Sequence, residues 1–111
     1  MDIKIYKHGD SLFVSVSGEL DHHSANGFKE QLDREIDKGI FDKLILDMSQ
    51  LKFMDSSGVG VILGRYNKMI TKDGQVVICG MNDQVAKIAQ LSGLQKILPV
   101  YNSIKEVKQN L

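Results

Sequence analysis

The residues whose types and spacing could do chemistry are Asp55-Ser56-Ser57-Gly58, which stand between a short apolar run and a helical pattern. From Val59 onward, Ile62, Leu63, Tyr66, Met69 and Ile70 fall on one side of a wheel at about 100° per residue, which predicts a helix beginning near Ser57. Asp55, Ser56 and Ser57 then occupy its N-terminal cap region, where short polar side chains accept bonds from unpaired backbone N–H groups. Capping alone would explain these residue types. The same free N–H groups and the positive end of the helix dipole also make the position hospitable to a phosphate, so a serine here could be capped and modified at once.

Catalysis by a serine needs more than this segment offers. No Gly-x-Ser-x-Gly elbow, no Walker phosphate loop and no motif placing a base near Ser56 occurs in the chain. An enzyme is therefore not expected. His22 and His23 raise the question of a metal, but neighbouring histidines at a helix start point in different directions and no third ligand is evident, so neither metal nor cofactor is expected. Cys79 is the only cysteine and lies in an apolar run, which makes it a small core residue and excludes an intramolecular disulfide.

The outward face of the helix after Asp55 offers a surface. Val61 is expected to point away from the core, and with Gly60, Gly64, Arg65 and Lys68 it would form a low-relief patch with flanking cations. Glycine costs about 1 kcal/mol in a helix interior, so Gly60 and Gly64 imply either contact with a partner or close packing inside the domain. Asp21 is a further candidate contact, and its position before the first helix equally suits an N-cap.

The elements that must position these residues follow from periodicity. Ile3–Lys7 and Leu12–Val16 alternate apolar and polar residues around His8-Gly9-Asp10-Ser11, which predicts an antiparallel hairpin. Ala25, Phe28, Leu32 and Ile36 mark an amphipathic helix ending near Gly39. Leu44-Ile45-Leu46 and Val76-Val77-Ile78-Cys79 read as buried central strands, with Ile97–Tyr101 a weaker candidate that Pro99 marks as either an edge strand or a very short one. Val85, Ile88 and Ala89 indicate a helix capped by Asn82 or Asp83 and ended by Gly93. Ser103 and Glu106 have capping-box spacing before a last helix with Ile104, Val107 and Leu111 on its buried stripe. Strands alternating with helices imply parallel neighbours joined by helical crossovers.

With 111 residues the chain has room for one core, so a single domain over 1–111 is expected. Fourteen basic residues balance fourteen acidic ones, which removes the global field that would draw it to nucleic acid or an anionic membrane. No apolar run approaches the roughly 20 residues of a membrane span, and the first residues lack the pattern of a signal peptide, so a cytoplasmic location is expected. Nothing specifies a dimer, and a monomer is expected when the chain is free.

The segment Phe53-Met54-Asp55-Ser56-Ser57-Gly58-Val59-Gly60-Val61-Ile62-Leu63-Gly64-Arg65-Tyr66 closely resembles the signature of the anti-sigma factor antagonists, members of the STAS domain family. Gly18-Glu19-Leu20-Asp21-His22-His23 and Leu91-Ser92-Gly93-Leu94 continue the resemblance, which covers nearly the whole chain in order. The His-His pair and the Leu-Gly-Arg-Tyr run are most similar to the sporulation branch, acting on an anti-sigma F factor, with the general-stress branch and a scaffolding STAS module as alternatives. Val59 stands where the signature commonly has Leu.

The resemblance implies an α/β STAS-type fold, a mixed sheet of four or five strands with about four helices packed mainly on one side. It also implies a partner-switching cycle. The unphosphorylated antagonist would bind an anti-sigma factor that is also a serine kinase and so free the sigma factor. The kinase would phosphorylate Ser56, the serine directly after the motif aspartate, and a PP2C-type serine phosphatase would reverse the modification. Ser57 fits the cap instead. The expected partner-binding residues are Asp21, Asp55, Ser56, Ser57, Gly60, Val61, Gly64 and Arg65.

Overall fold

The computed structural model describes residues 1–110. A hairpin, β1 (Asp2–His8) and β2 (Ser11–Leu20), leads through a turn into α1 (Ala25–Lys38), then β3 (Lys43–Met54) and α2 (Ser56–Ile70). The chain continues through β4 (Gln75–Cys79), α3 (Asp83–Leu91), a 3-10 turn at Leu94–Lys96, β5 (Val100–Tyr101) and α4 (Ile104–Asn110). The five strands lie in sequential order, β1 antiparallel to β2 and every later pair parallel. Each parallel neighbour is reached by a helical crossover, as the alternation of patterns predicts.

Alternation along the strands divides the sheet into two faces. Leu12, Val14 and Val16 of β2, Leu44, Leu46 and Met48 of β3, and Val76 and Ile78 of β4 meet α1, α2 and α3 in the main core. There Phe28, Leu32 and Ile36 of α1 are buried, at about 1.5–3 kcal/mol for each such side chain removed from water. Phe13, Ile45, Val77 and Cys79 point the other way and are covered by Val107 and Ile104 of α4 with Tyr101 of β5. Three helices thus pack on one face and one short helix on the other.

The strand begun by Leu44-Ile45-Leu46 runs to Met54, well past its apolar run. Between the Ser15–Asp47 and Ser17–Gln50 pairs, and again between Gly18–Leu51 and Glu19–Phe53, β3 carries one residue more than β2. These two bulges space the buried side chains Met48, Leu51 and Met54 by three residues and hide the strand from a period of two. Pro99 precedes a β5 of two residues at the sheet edge, both short and at an edge as expected of a strand beside a proline. Gly39 ends α1 in the left-handed region (φ 66°) with its N–H on the Ile36 carbonyl. Ile70, expected on the apolar side of α2, is exposed in the last turn of that helix. Leu111, expected on the stripe of α4, lies outside the described residues.

Candidate functional site: the carboxyl edge of the sheet

Because β2, β3 and β4 are parallel and each feeds a helix, α1, α2 and α3 all begin at the carboxyl edge of the sheet. Their free N–H groups and dipole ends favour negative charge along this edge. Asn82 caps α3 by accepting the Val85 N–H (2.8 Å) and pins that helix to β3 by donating to the Leu51 carbonyl (3.0 Å).

Asp55 is the centre of the arrangement. Its backbone is extended (φ −111°, ψ −171°), and its Oδ1 accepts the N–H groups of Ser57 (2.8 Å) and Gly58 (3.4 Å). The other oxygen, Oδ2, accepts the His22 N–H at 3.2 Å. The Asp55 N–H in turn donates to the Leu20 carbonyl at 3.2 Å. One residue therefore caps α2 and fastens the turn between β2 and α1 beside it.

Ser56 is the first residue of α2 and is exposed, so its hydroxyl is presented to solvent at the positive end of the helix. The cap expected of Ser57 belongs to Asp55, and half-buried Ser57 contributes a backbone N–H to it. Gly58 is buried, and a Cβ there would stand 2.7 Å from Leu20 Cγ and 2.8 Å from Met54 Cγ. Only a glycine lets the first turn of α2 lie this close to the ends of β2 and β3.

Asp21 is not the N-cap of α1; Ser24 occupies that place without a side-chain cap bond. Asp21 closes the turn before it, its Oδ1 accepting the N–H groups of His23 (2.9 Å) and Ser24 (3.1 Å). The bond from the Ser24 backbone holds the Asp21 carboxyl below the ordinary carboxylate range, slight burial opposing it and the His23 N–H assisting. His22 and His23 are both exposed, and no group of three or more metal-ligating side chains forms among the described residues. A depression of about 410 Å³ beside this turn is lined by Met1, Gly18, Glu19, Asp21, His23 and Ser24. The cleft at Tyr6, His8, Ser11, Phe13 and Lys108 lies at the other end of β2 and does not belong to the site.

The outward face of α2 differs in part from its expectation. Gly60 and Gly64 have open space where a Cβ would project, so packing inside the domain does not require them. Val61 is half-buried and touches the margin of the main core. Arg65 is not a surface cation: it is 6% exposed, with Nε 3.0 Å from Asp33 Oδ1. That contact is an ion pair without hydrogen-bond alignment, and Nη1 has no partner among the described residues. Lys68 is half-buried and reaches across to α1, donating to Asp33 Oδ1 and Asp37 Oδ1, both at 3.1 Å. Burial works hardest against the Lys68 charge, but the two carboxylates together outweigh it and raise its pKa.

The structure places the Asp21 turn beside Asp55, Ser56 and Ser57, and it sets Arg65 and Lys68 against carboxylates of α1 that the sequence analysis does not anticipate. Asp33 and Asp37 stand one turn apart on α1, matched in step to Arg65 and Lys68 on α2, and that complementary spacing was the available signal.

This fold and this edge define a STAS domain, and residues 2–107 match the STAS domain family model. The chain belongs to that family. It is 40% identical over 103 residues to an anti-sigma F factor antagonist from Paenibacillus polymyxa, covering 93% of this chain and 88% of the relative. It is 28% identical over 102 residues to an anti-sigma-B factor antagonist from Listeria monocytogenes, covering 91% and 88%. Among solved structures, an anti-sigma factor antagonist from Mycobacterium paratuberculosis superposes with a TM-score of 0.88 at 22% identity, covering 98% of this chain and 92% of the other. The antagonist SpoIIAA in its unphosphorylated form does so with a TM-score of 0.77 at 23% identity, covering 98% and 96%. At these identities the two structures speak to the fold. No helix among the described residues is long and apolar enough to cross a membrane.

Proposed function

We propose that this protein is an anti-sigma factor antagonist of the sigma F type whose state is set at Ser56. In the unphosphorylated form it binds an anti-sigma factor serine kinase and releases the sigma factor. The kinase inactivates it by phosphorylating Ser56, and a PP2C-type serine phosphatase restores it. The protein is a cytoplasmic regulator and not an enzyme, needs no metal or cofactor, and is monomeric when free. Its partner-binding surface comprises Asp21, Asp55, Ser56, Ser57, Gly60, Val61 and Gly64.

The observation that carries this reading is the exposed Ser56 hydroxyl at the start of a helix whose cap is supplied by its neighbour, Asp55. Because the Ser56 side chain makes no hydrogen bond among the described residues, a kinase can take it without dismantling the fold. Phosphate adds about 1.5 to 2 negative charges and three acceptor oxygens. The helix terminus favours that charge by about 0.3–1 kcal/mol. Desolvating it in an interface without matched cations costs several kcal/mol, so the interface penalty wins. Phosphorylation leaves the domain intact and weakens partner binding through charge and bulk.

The test is to incubate the protein with ATP, magnesium and an anti-sigma factor kinase from the same genome and locate the phosphate by mass spectrometry. Phosphate on Ser56 is expected; phosphate confined to another residue would refute the assignment. Similarity to the anti-sigma-B antagonist sustains a second reading, action on a general-stress kinase. Presenting kinases of both types to the same sample separates the two.

A further inference from the structure

The displacement of Arg65 from the surface raises the question of what a buried guanidinium does between two helices. Arg65 Nε meets Asp33 Oδ1 at 3.0 Å with no hydrogen-bond alignment, and Nη1 is buried without a hydrogen-bond partner among the described residues. A buried ion pair satisfied this incompletely is poor value for stability, since apolar side chains of similar size in such places are often as stable or more so. Its geometry suggests another role.

The helices α1 and α2 carry the two halves of the proposed partner surface, the Asp21–Ser24 turn entering one and Ser56 beginning the other. They are tied at three levels. At the top, Asp55 Oδ2 holds the His22 N–H, and at the bottom Lys72 Nζ donates to the Ile36 carbonyl at 2.7 Å. Between them stand Asp33 with Arg65, and Lys68 with Asp33 and Asp37. At 1.5 Å per residue, Asp33 lies about 12 Å below the start of α1 and Arg65 about 13 Å below the start of α2. The middle tie therefore joins the helices at nearly equal depth, where sliding one along the other would shift the Asp21 turn against Ser56.

We infer that Arg65 is a positioning residue: through Asp33 it fixes the register of α1 against α2 and so aligns the Asp21–Ser24 turn with Ser56 for the partner. This rests on the proposed function for its consequence, while the alignment is a property of the free domain. Arg65→Met keeps an unbranched stem for packing and leaves Asp33 with Lys68, so no carboxylate is orphaned.

In Arg65→Met, the melting temperature is expected to stay within a few degrees of wild type or to rise. The amide resonances of His22 and Ser57 shift, and affinity for the unphosphorylated-state partner, the anti-sigma factor kinase, falls at least about fivefold. Arg65→Lys, which retains the charge, restores part of the affinity. Partner binding within twofold of wild type in Arg65→Met overturns the inference, and so does failure of that variant to fold, which would make the pair a stability element. If wild type binds no anti-sigma factor kinase, the functional proposal fails by itself. The His22 and Ser57 amides of Arg65→Met then decide the alignment, with unmoved resonances overturning it.

Discussion

The carboxylate of Asp55 accepts the backbone N–H of His22 at 3.2 Å, joining the start of α2 to a turn 33 residues earlier in the chain. The same side chain caps its own helix through Ser57 and Gly58. Asp55 thus assembles the surface on which Ser56 stands, and the residue next to the proposed phosphate acceptor is structural as well as charged.

Asp55→Ala removes acceptors for three N–H groups. Loss of an N-cap costs about 0.5–2 kcal/mol, and the untethered turn places this variant at the upper end. For a domain of this size, that lowers the melting temperature by roughly 4–8 °C per kcal/mol. Thermal denaturation followed by circular dichroism measures it, together with faster hydrogen exchange at the His22 amide.

The glycines of α2 should behave in opposite ways. Gly58→Ala forces a Cβ to 2.7 Å from Leu20 Cγ and 2.8 Å from Met54 Cγ, an overpacking expected to cost about 1–3 kcal/mol. Gly60→Ala meets open space and gains helix propensity, up to about 1 kcal/mol of stability. If Gly60 is a contact, Gly60→Ala is more stable yet binds its partner less well. Urea denaturation and a binding titration on the same two variants give both numbers.

Val61→Glu places a charge at the middle of the proposed surface while the half-buried position keeps access to water. Partner binding should be abolished with the far-ultraviolet dichroism spectrum unchanged. Undiminished binding would remove the outer face of α2 from the interface.

Two groups make stability depend on alkaline pH. Burial, with a smaller contribution from Asp47, pushes the Cys79 thiol up to about 12 from an ordinary 9.0. The unfolded chain then loses this proton first, so stability declines as pH rises above about 9. Lys68 has a folded pKa above its ordinary 10.5, so its stabilisation is complete below 10.5 and is lost as pH rises through the folded value. Urea midpoints measured from pH 8 to 12 should fall in both regions. Cys79→Ala should remove the decline that begins near pH 9, and Lys68→Met should flatten the part above 10.5.

How far the molecule was legible in its sequence depended on whether a signal was local. The start of α2 was readable because cap residues and a helical period meet within a few positions, and Ser56 emerged at the expected end of the helix. The buried stripe of α1 was readable for the same reason. Arg65 was misplaced because a helical wheel shows which residues share a side, whereas the carboxylate that buries this one lies on α1, 32 positions away. Likewise the far half of β3 was hidden by bulges that exist only in its pairing with β2. The assignment of Ser57 to the cap erred by choosing among adjacent polar residues, a choice made by the backbone of Asp55.

The most direct test of the switch compares binding of three forms of the protein to the anti-sigma factor kinase: unmodified, stoichiometrically phosphorylated on Ser56, and Ser56→Ala. The unmodified protein and Ser56→Ala should bind with similar affinity. The phosphorylated form, with an unchanged dichroism spectrum, should bind at least about a hundredfold more weakly, a loss of some 2.7 kcal/mol. Equal binding by the phosphorylated and unmodified forms would contradict a switch at Ser56.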